Sequence, residues 1–232
     1  MVVNNFGYYN SVEDNEEIRV MVELDAIDFA PDYDKNILLW LHLKTTDKKV
    51  YQSIFDNILK NYKVIFVGTI QRGDWIEWYG YSYQAKGFEK AIKDGLKNYK
   101  ITYEFGSHKD KYWNHYKRVL YPNKEQKQLI ENYDIIQELT SNQIDLSKEY
   151  LIEHYFQFKS EENRVEFVDI LQKDGYNFVE EYYDDEAFAL KYGLVMQKSS
   201  YIQQKPIDII TIYLMQQVKN KDGVYVGWGL NV

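Results

Sequence analysis

The chain of 232 residues contains no cysteine and only three prolines. Without cysteine there is no disulfide, no thiolate nucleophile and no cysteine-ligated zinc or iron–sulfur site. The chain also lacks any apolar run of the roughly 18 to 20 residues that cross a bilayer, and its first residues show no secretory signal. We therefore expect a cytoplasmic protein that binds no cofactor and does not enter a membrane.

Basic residues are the minority charge. Lys and Arg number 28 against 36 Asp and Glu, which gives a formal net charge of −8. Non-specific binding to nucleic acid depends on clustered Lys and Arg, so the balance disfavours direct contact with nucleic acid and suits a basic partner surface better. An acidic excess of this size is also ordinary for a soluble protein.

Apolar residues make up 45% of the chain, and 23 residues are tyrosine, which is enough to build packed cores. The hydrophobic pattern divides the chain into four segments. We predict a flexible acidic arm at 1–17, an N-terminal α+β domain at 18–112, a helical connector at 113–147, and a C-terminal domain at 148–232.

The two predicted domains share one order of elements: strand, helix, strand, strand, helix, strand. In the first domain this order runs from Ile37 to Phe105, and in the second from Tyr150 to Val232. Local signals support the second domain, since Ser160 is placed to cap a helix and Pro206 lies in the first turn of another. The predicted fold class is α+β, with two ferredoxin-like, split β-α-β units in tandem joined by the helical connector.

The C-terminal domain carries a spaced motif. His154-Tyr155-Phe156 is followed by Ser160-Glu161-Glu162, by Gly175-Tyr176 and, near the end of the sequence, by Gly223-x-Tyr225-x-Gly227-Trp228. In order and spacing this domain resembles the bacterial family of regulator of RNase E activity B. The preceding region, with its aromatic strand near Trp75, is similar to an uncharacterised domain often fused to that family's module.

The resemblance implies a ferredoxin-like module that binds an RNase E-type endoribonuclease and inhibits it, with no catalysis of its own. The family usually has an acidic residue where this chain has Val226. From the residues alone, Tyr225, Gly227 and Trp228 are also typical of core packing on a terminal strand. The candidate residues for partner binding are Glu180, Glu181, Asp184, Asp185, Glu186, Tyr225 and Trp228, because carboxylates pair with the guanidinium groups of an arginine-rich segment.

Two other functions compete with this one. The aromatic strand with Trp78, Tyr79, Tyr81 and Tyr83 is a candidate for stacking single-stranded RNA bases. A metal-dependent hydrolase built on His108, His115 and the loop at Asp184 is the third hypothesis, although no HExxH motif, phosphate loop or nucleophile elbow occurs. The remaining histidines, His42 and His154, lie in predicted strands, where a structural role is the common one.

Overall fold

The computed structural model describes residues 5–230, except for the side chains of residues 48 and 59–61. The chain divides into two compact units, Met1–Gln126 and Lys127–Val232. Each unit contains one antiparallel sheet with helices, so the predicted α+β class is confirmed. None of the helices in this part of the chain is both long and apolar enough to cross a membrane.

The N-terminal unit is built on a six-stranded sheet. Its elements are β1 (Phe6–Glu13), β2 (Glu16–Glu23), a 3-10 helix (Leu24–Asp28), β3 (Ile37–Lys44), α1 (Lys48–Asn61), β4 (Ile65–Arg72), β5 (Trp75–Ser82), α2 (Phe88–Leu96), β6 (Tyr103–Lys109) and a π-helical turn (Tyr116–Leu120). The strand order is β1-β2-β4-β5-β3-β6. One face of the sheet packs against α1 and α2 around Leu41, Ile54 and Trp78.

The second face of this sheet is covered in part by the segment 110–121. The Trp113 ring stacks on the Tyr81 ring with centroids 4.1 Å apart and planes at 5°. The Tyr81 hydroxyl donates to Asp110 Oδ2 at 2.7 Å, and the Tyr116 hydroxyl donates to the Glu23 carbonyl at 2.8 Å. Aromatic residues therefore fill both sides of this sheet.

The C-terminal unit is built on a four-stranded sheet. Its elements are α3 (Lys124–Ser141, which begins just before the unit boundary), β7 (Glu149–Phe158), α4 (Glu161–Lys173), β8 (Asn177–Tyr183), β9 (Tyr192–Tyr201), α5 (Gln204–Lys219) and β10 (Gly223–Leu230). The strand order is β10-β7-β9-β8. The core lies on the helix side of the sheet and includes Phe156, Phe167 and Leu194.

Local sequence signals account for several element boundaries. Ser160 Oγ accepts the Asn163 N–H at 3.3 Å and caps α4, and Asp47 Oδ1 accepts the Lys49 N–H at 2.9 Å and caps α1. Gly175 follows the end of α4 with φ of 83°, a left-handed conformation that glycine adopts without strain.

The predicted flexible arm is wrong for the residues that the structure describes. Residues 6–13 form β1, which pairs with β2 through a turn at Asp14 and Asn15, both at positive φ. Tyr9 is buried and its hydroxyl donates to the Leu120 carbonyl at 3.0 Å. The polar composition of residues 1–17 concealed this strand, because only the inward-facing residues of β1 are covered. Residues 1–4 of the predicted arm lie outside the described residues.

The predicted connector at 113–147 is not a separate element. Its first part, the aromatic segment around Trp113, packs on the sheet of the N-terminal unit, and the helical pattern stops before Pro122. Its second part is α3, whose Ile136 belongs to the core of the C-terminal unit. Apolar residues at helical spacing identified the helix but not the core that it joins.

Candidate partner-binding surface

Two residues of the C-terminal motif are joined by a hydrogen bond inside the core. His154 lies on β7 and Tyr225 on the neighbouring β10, and His154 Nδ1 is 2.9 Å from the Tyr225 hydroxyl. Burial lowers the pKa of His154 to about 3 and raises the pKa of Tyr225 well above its usual value. His154 is therefore neutral at pH 7, and the pair is structural.

Trp228 is also an internal residue. Its indole Nε1 donates to Asn132 Oδ1 at 2.8 Å, and Asn132 Nδ2 in turn donates to Thr211 Oγ1 at 2.8 Å and Asp208 Oδ1 at 2.9 Å. Asn132 is completely buried, so each of these bonds replaces one that water would otherwise make. The network holds α3 and α5 to β10.

Tyr225 and Trp228 are consequently not available as contacts for a partner. Their side chains are only 7% and 5% exposed. The residues that are most specific for the resemblance thus determine the packing of the unit. A partner has to be recognised by other residues.

The acidic candidates lie together at one edge of the C-terminal sheet. Glu180 and Glu181 are exposed on β8, and Asp184, Asp185 and Glu186 follow in the loop between β8 and β9. Among residues 5–230, β8 is an edge strand that pairs with β9 alone. We name residues 177–190 the acidic edge.

A buried arginine supports part of this edge. Arg164 of α4 has a side chain that is 6% exposed, and its Nη2 lies 3.0 Å from Glu181 Oε2 and 3.4 Å from Glu161 Oε1. The guanidinium also lies over the Tyr192 ring, 5.8 Å from its centroid. Glu181 therefore compensates a buried charge as well as facing solvent.

The loop has an internal turn and an exposed aromatic residue. Asp184 Oδ1 accepts the backbone N–H groups of Glu186 at 3.1 Å and Ala187 at 3.2 Å, which shapes the loop. Phe188 is fully exposed beyond this turn. It was not among the sequence candidates, although a lone phenylalanine between two alanines in an acidic loop is a visible signal.

The aromatic strand proposed for RNA stacking is buried. β5 lies between β4 and β3, and Trp78, Tyr79 and Tyr81 are at most 7% exposed. Of the four candidates only Tyr83, just beyond the strand, is exposed. Base stacking requires an open ring face, so the RNA-binding interpretation of this strand is wrong.

The histidines of the N-terminal unit do not form a metal site. The His115 ring packs on the Tyr79 ring with the ring centroids 4.1 Å apart, and burial lowers the pKa of His115 to about 4. His108 is exposed on β6. Among residues 5–230, no three His, Asp or Glu side chains are grouped so that they could hold a metal ion.

The geometry defines a chain of two α+β modules, of which the second presents an acidic sheet edge. Each module matches a known family model. Residues 129–230 match the family described as Regulator of ribonuclease activity B, and residues 44–121 match a Family of unknown function (DUF695). The resemblance and the predicted order of the two modules are thereby confirmed.

Two other comparisons add less. No curated protein matches the chain. Among solved structures, an unknown protein from Galdieria sulphuraria matches 83% of this chain and 99% of its own at 10% identity, with a TM-score of 0.25. A likeness at this level supports no argument about fold or function.

Proposed function

We propose that this protein is a non-catalytic regulator that binds an RNase E-type endoribonuclease in the cytoplasm and lowers its activity. The observation that carries the proposal is the match of residues 129–230 to a family of ribonuclease regulators. That match covers the whole sheet of the C-terminal unit and the acidic edge. The N-terminal unit has no assigned role in the proposal.

The proposed contact surface is the acidic edge. Five carboxylate residues lie within the seven positions 180–186. Because Tyr225 and Trp228 are buried, these carboxylates are the candidate residues that remain for contact with a partner. Carboxylates pair with arginine through bidentate, charge-assisted hydrogen bonds. A basic surface on the nuclease therefore suits the edge better than an acidic or nucleic acid surface.

We further propose that both units are ferredoxin-like. In the N-terminal unit the strands β4-β5-β3-β6 lie in the same relative order as β8-β9-β7-β10 of the C-terminal unit. Both sets are antiparallel and both follow the strand, helix, strand, strand, helix, strand sequence of a split β-α-β fold. The β1–β2 hairpin is an addition beside β4.

The proposal is tested with the purified full chain and the RNase E-type nuclease of the same organism. We expect saturable binding by calorimetry and slower cleavage of a single-stranded RNA substrate. The double variant Glu180→Lys and Asp185→Lys is expected to weaken binding by about tenfold or more, because two attractive charges become repulsive. The proposal is contradicted if the nuclease does not bind the unaltered chain and cleaves RNA at the same rate in its presence.

A matched control separates the edge from net charge. Glu162 and Asp169 are exposed carboxylates on α4 of the same unit. Reversing both with Glu162→Lys and Asp169→Lys changes the net charge by the same amount outside residues 177–190. We expect less than about a twofold change in affinity at physiological salt, where distant charges are screened.

A further inference from the structure

The outer side of β8 is an open hydrogen-bonding edge. Six of its seven residues are exposed, and Tyr182 alone is partly covered. The Asp184 N–H donates to the Lys191 carbonyl at 2.9 Å. In an antiparallel ladder every second residue is hydrogen-bonded to the neighbouring strand, so Tyr182 and Glu180 are the next residues of β8 bonded to β9. Glu181 and Tyr183 therefore direct their N–H and C=O groups away from β9, where no strand of the described residues pairs with them.

The side chains of β8 select what can pair there. A second copy of the chain would bring Glu180 and Glu181 against the same carboxylates, which is unfavourable in a cross-strand position. Charges of this kind are a common protection against self-association of edge strands. A basic segment has the complementary charge and is attracted by the same side chains.

β8 also has exposed apolar side chains, which are not needed to protect an edge strand against self-association. Phe178, Val179 and Tyr183 are 44%, 36% and 57% exposed, and Phe188 extends the series beyond the strand. β10 at the other side of the sheet has exposed valines but no charged residue. Of the two edge strands described in the four-stranded sheet, β8 is the one that combines open backbone groups, apolar contacts and charge of one sign.

A bulge limits the length of the pairing region. The register of β8 shifts between Phe178 and Glu180, with Val179 as the additional residue. A bulge interrupts regular pairing and bends the strand. The regular outer edge is therefore Glu180–Tyr183, which suits a short extended segment rather than a long strand.

We propose that β8 binds a short, extended, basic segment of a protein partner, which adds to the sheet as a fifth strand beside Glu180–Tyr183. This proposal rests on the proposed function, since it specifies how the regulator holds its nuclease. Backbone hydrogen bonds supply the binding mode, and the carboxylates, which lie on opposite faces of the strand at Glu180 and Glu181, select arginine or lysine at the partner positions that face them.

The test uses the full chain and a labelled short peptide in which arginine and threonine alternate. A second peptide has the same sequence with every backbone nitrogen methylated, which removes the donors of both strand edges and keeps every side-chain charge. Binding is measured by fluorescence anisotropy. We expect N-methylation to weaken binding by about tenfold or more.

Protein variants provide a second readout in the same assay. Glu180→Lys is expected to abolish peptide binding, whereas Asp169→Lys on α4 is expected to leave it within about twofold. Equal binding of the two peptides overturns strand addition, because attraction between charges alone does not need the backbone. Failure of the unmethylated peptide to bind at low salt overturns it as well.

Failure of this inference is distinguishable from failure of the proposed function. If the nuclease binds the chain but the peptide neither binds nor competes, strand addition is overturned and the regulator proposal stands. If the nuclease does not bind but the peptide binds in a methylation-sensitive way, the regulator proposal is contradicted and the peptide-binding edge is supported.

Discussion

β5 and β8 are both aromatic strands, and they occupy opposite environments. β5 contains Trp75, Trp78, Tyr79 and Tyr81, and six of its eight residues are buried. β8, with one phenylalanine and two tyrosines, has no buried residue. β5 has a neighbouring strand on each side and packing on both faces, whereas β8 has one neighbour.

Position in the sheet explains the difference better than composition does. An aromatic side chain on a central strand contributes to stability, and the same type of side chain on an edge strand is free for contacts with other molecules. We therefore expect partner contacts at the strand near Glu180 rather than at the strand near Trp78.

Replacing Trp78 with alanine is expected to destabilise the N-terminal unit by about 3–5 kcal/mol, because a fully buried ring leaves a cavity. The measurement is urea unfolding followed by circular dichroism. Trp78→Phe is the control, and it is expected to cost less because the indole Nε1 has no hydrogen-bond partner among the described residues. An unchanged midpoint in the alanine variant contradicts the central position of β5.

The pH dependence of stability tests a central strand of the C-terminal unit. His154 on β7 has a folded pKa of about 3, against 6.5 in an unfolded chain. Below about pH 6.5 the unfolded state takes up a proton that the folded state refuses, so stability is lost as pH falls toward 3. Between these two pKa values, the titration of this one histidine is expected to lower the free energy of unfolding by about 1.4 kcal/mol for each unit by which the pH falls.

The control for this effect is His154→Gln, which cannot titrate. The free energy of unfolding is measured with urea at several values between pH 7 and pH 4. We expect the difference in stability between the original chain and the variant to shrink as pH falls. A constant difference over this range shows that His154 does not titrate as its burial requires.

Phe188→Ala is expected to have the smallest effect on folding. The side chain is fully exposed, so the free energy of unfolding should change by less than about 0.5 kcal/mol. Nuclease binding should nevertheless weaken, since an exposed aromatic at the acidic edge is a contact candidate. Phe167→Ala, at a fully buried position of α4, is the contrasting variant. If Phe188→Ala lowers the free energy of unfolding as much as Phe167→Ala does, Phe188 is not an exposed residue.

Several features of the fold were predictable because their causes are local. The cap at Ser160, the left-handed Gly175 after α4 and the first-turn Pro206 each depend on a few neighbouring residues. The C-terminal resemblance was likewise readable from spacing. The exposure of most of the acidic residues at 180–186 was also predictable, because a run of carboxylates is seldom buried.

Other features were not predictable because they depend on residues far apart in the chain. β1 was concealed by its polar composition, and its inward-facing Tyr9 is covered through a contact with Leu120. Tyr225 and Trp228 were candidates both for partner binding and for core packing, and contacts with the distant His154 and Asn132 place them in the core. Hydrophobic periodicity identifies the covered face of an element and contains no information about which partner covers it.

Local propensity, spacing and charge are enough to predict the α+β class, the strand, helix, strand, strand, helix, strand order of each unit, the family resemblance and the acidic character of residues 180–186. Only the tertiary structure decided that β5 is central and β8 is an edge. Sheet order arises from pairing between distant strands, whose hydrogen bonds join backbone groups that every residue carries. Local composition cannot specify that order, and the order decides which aromatic strand can meet a partner.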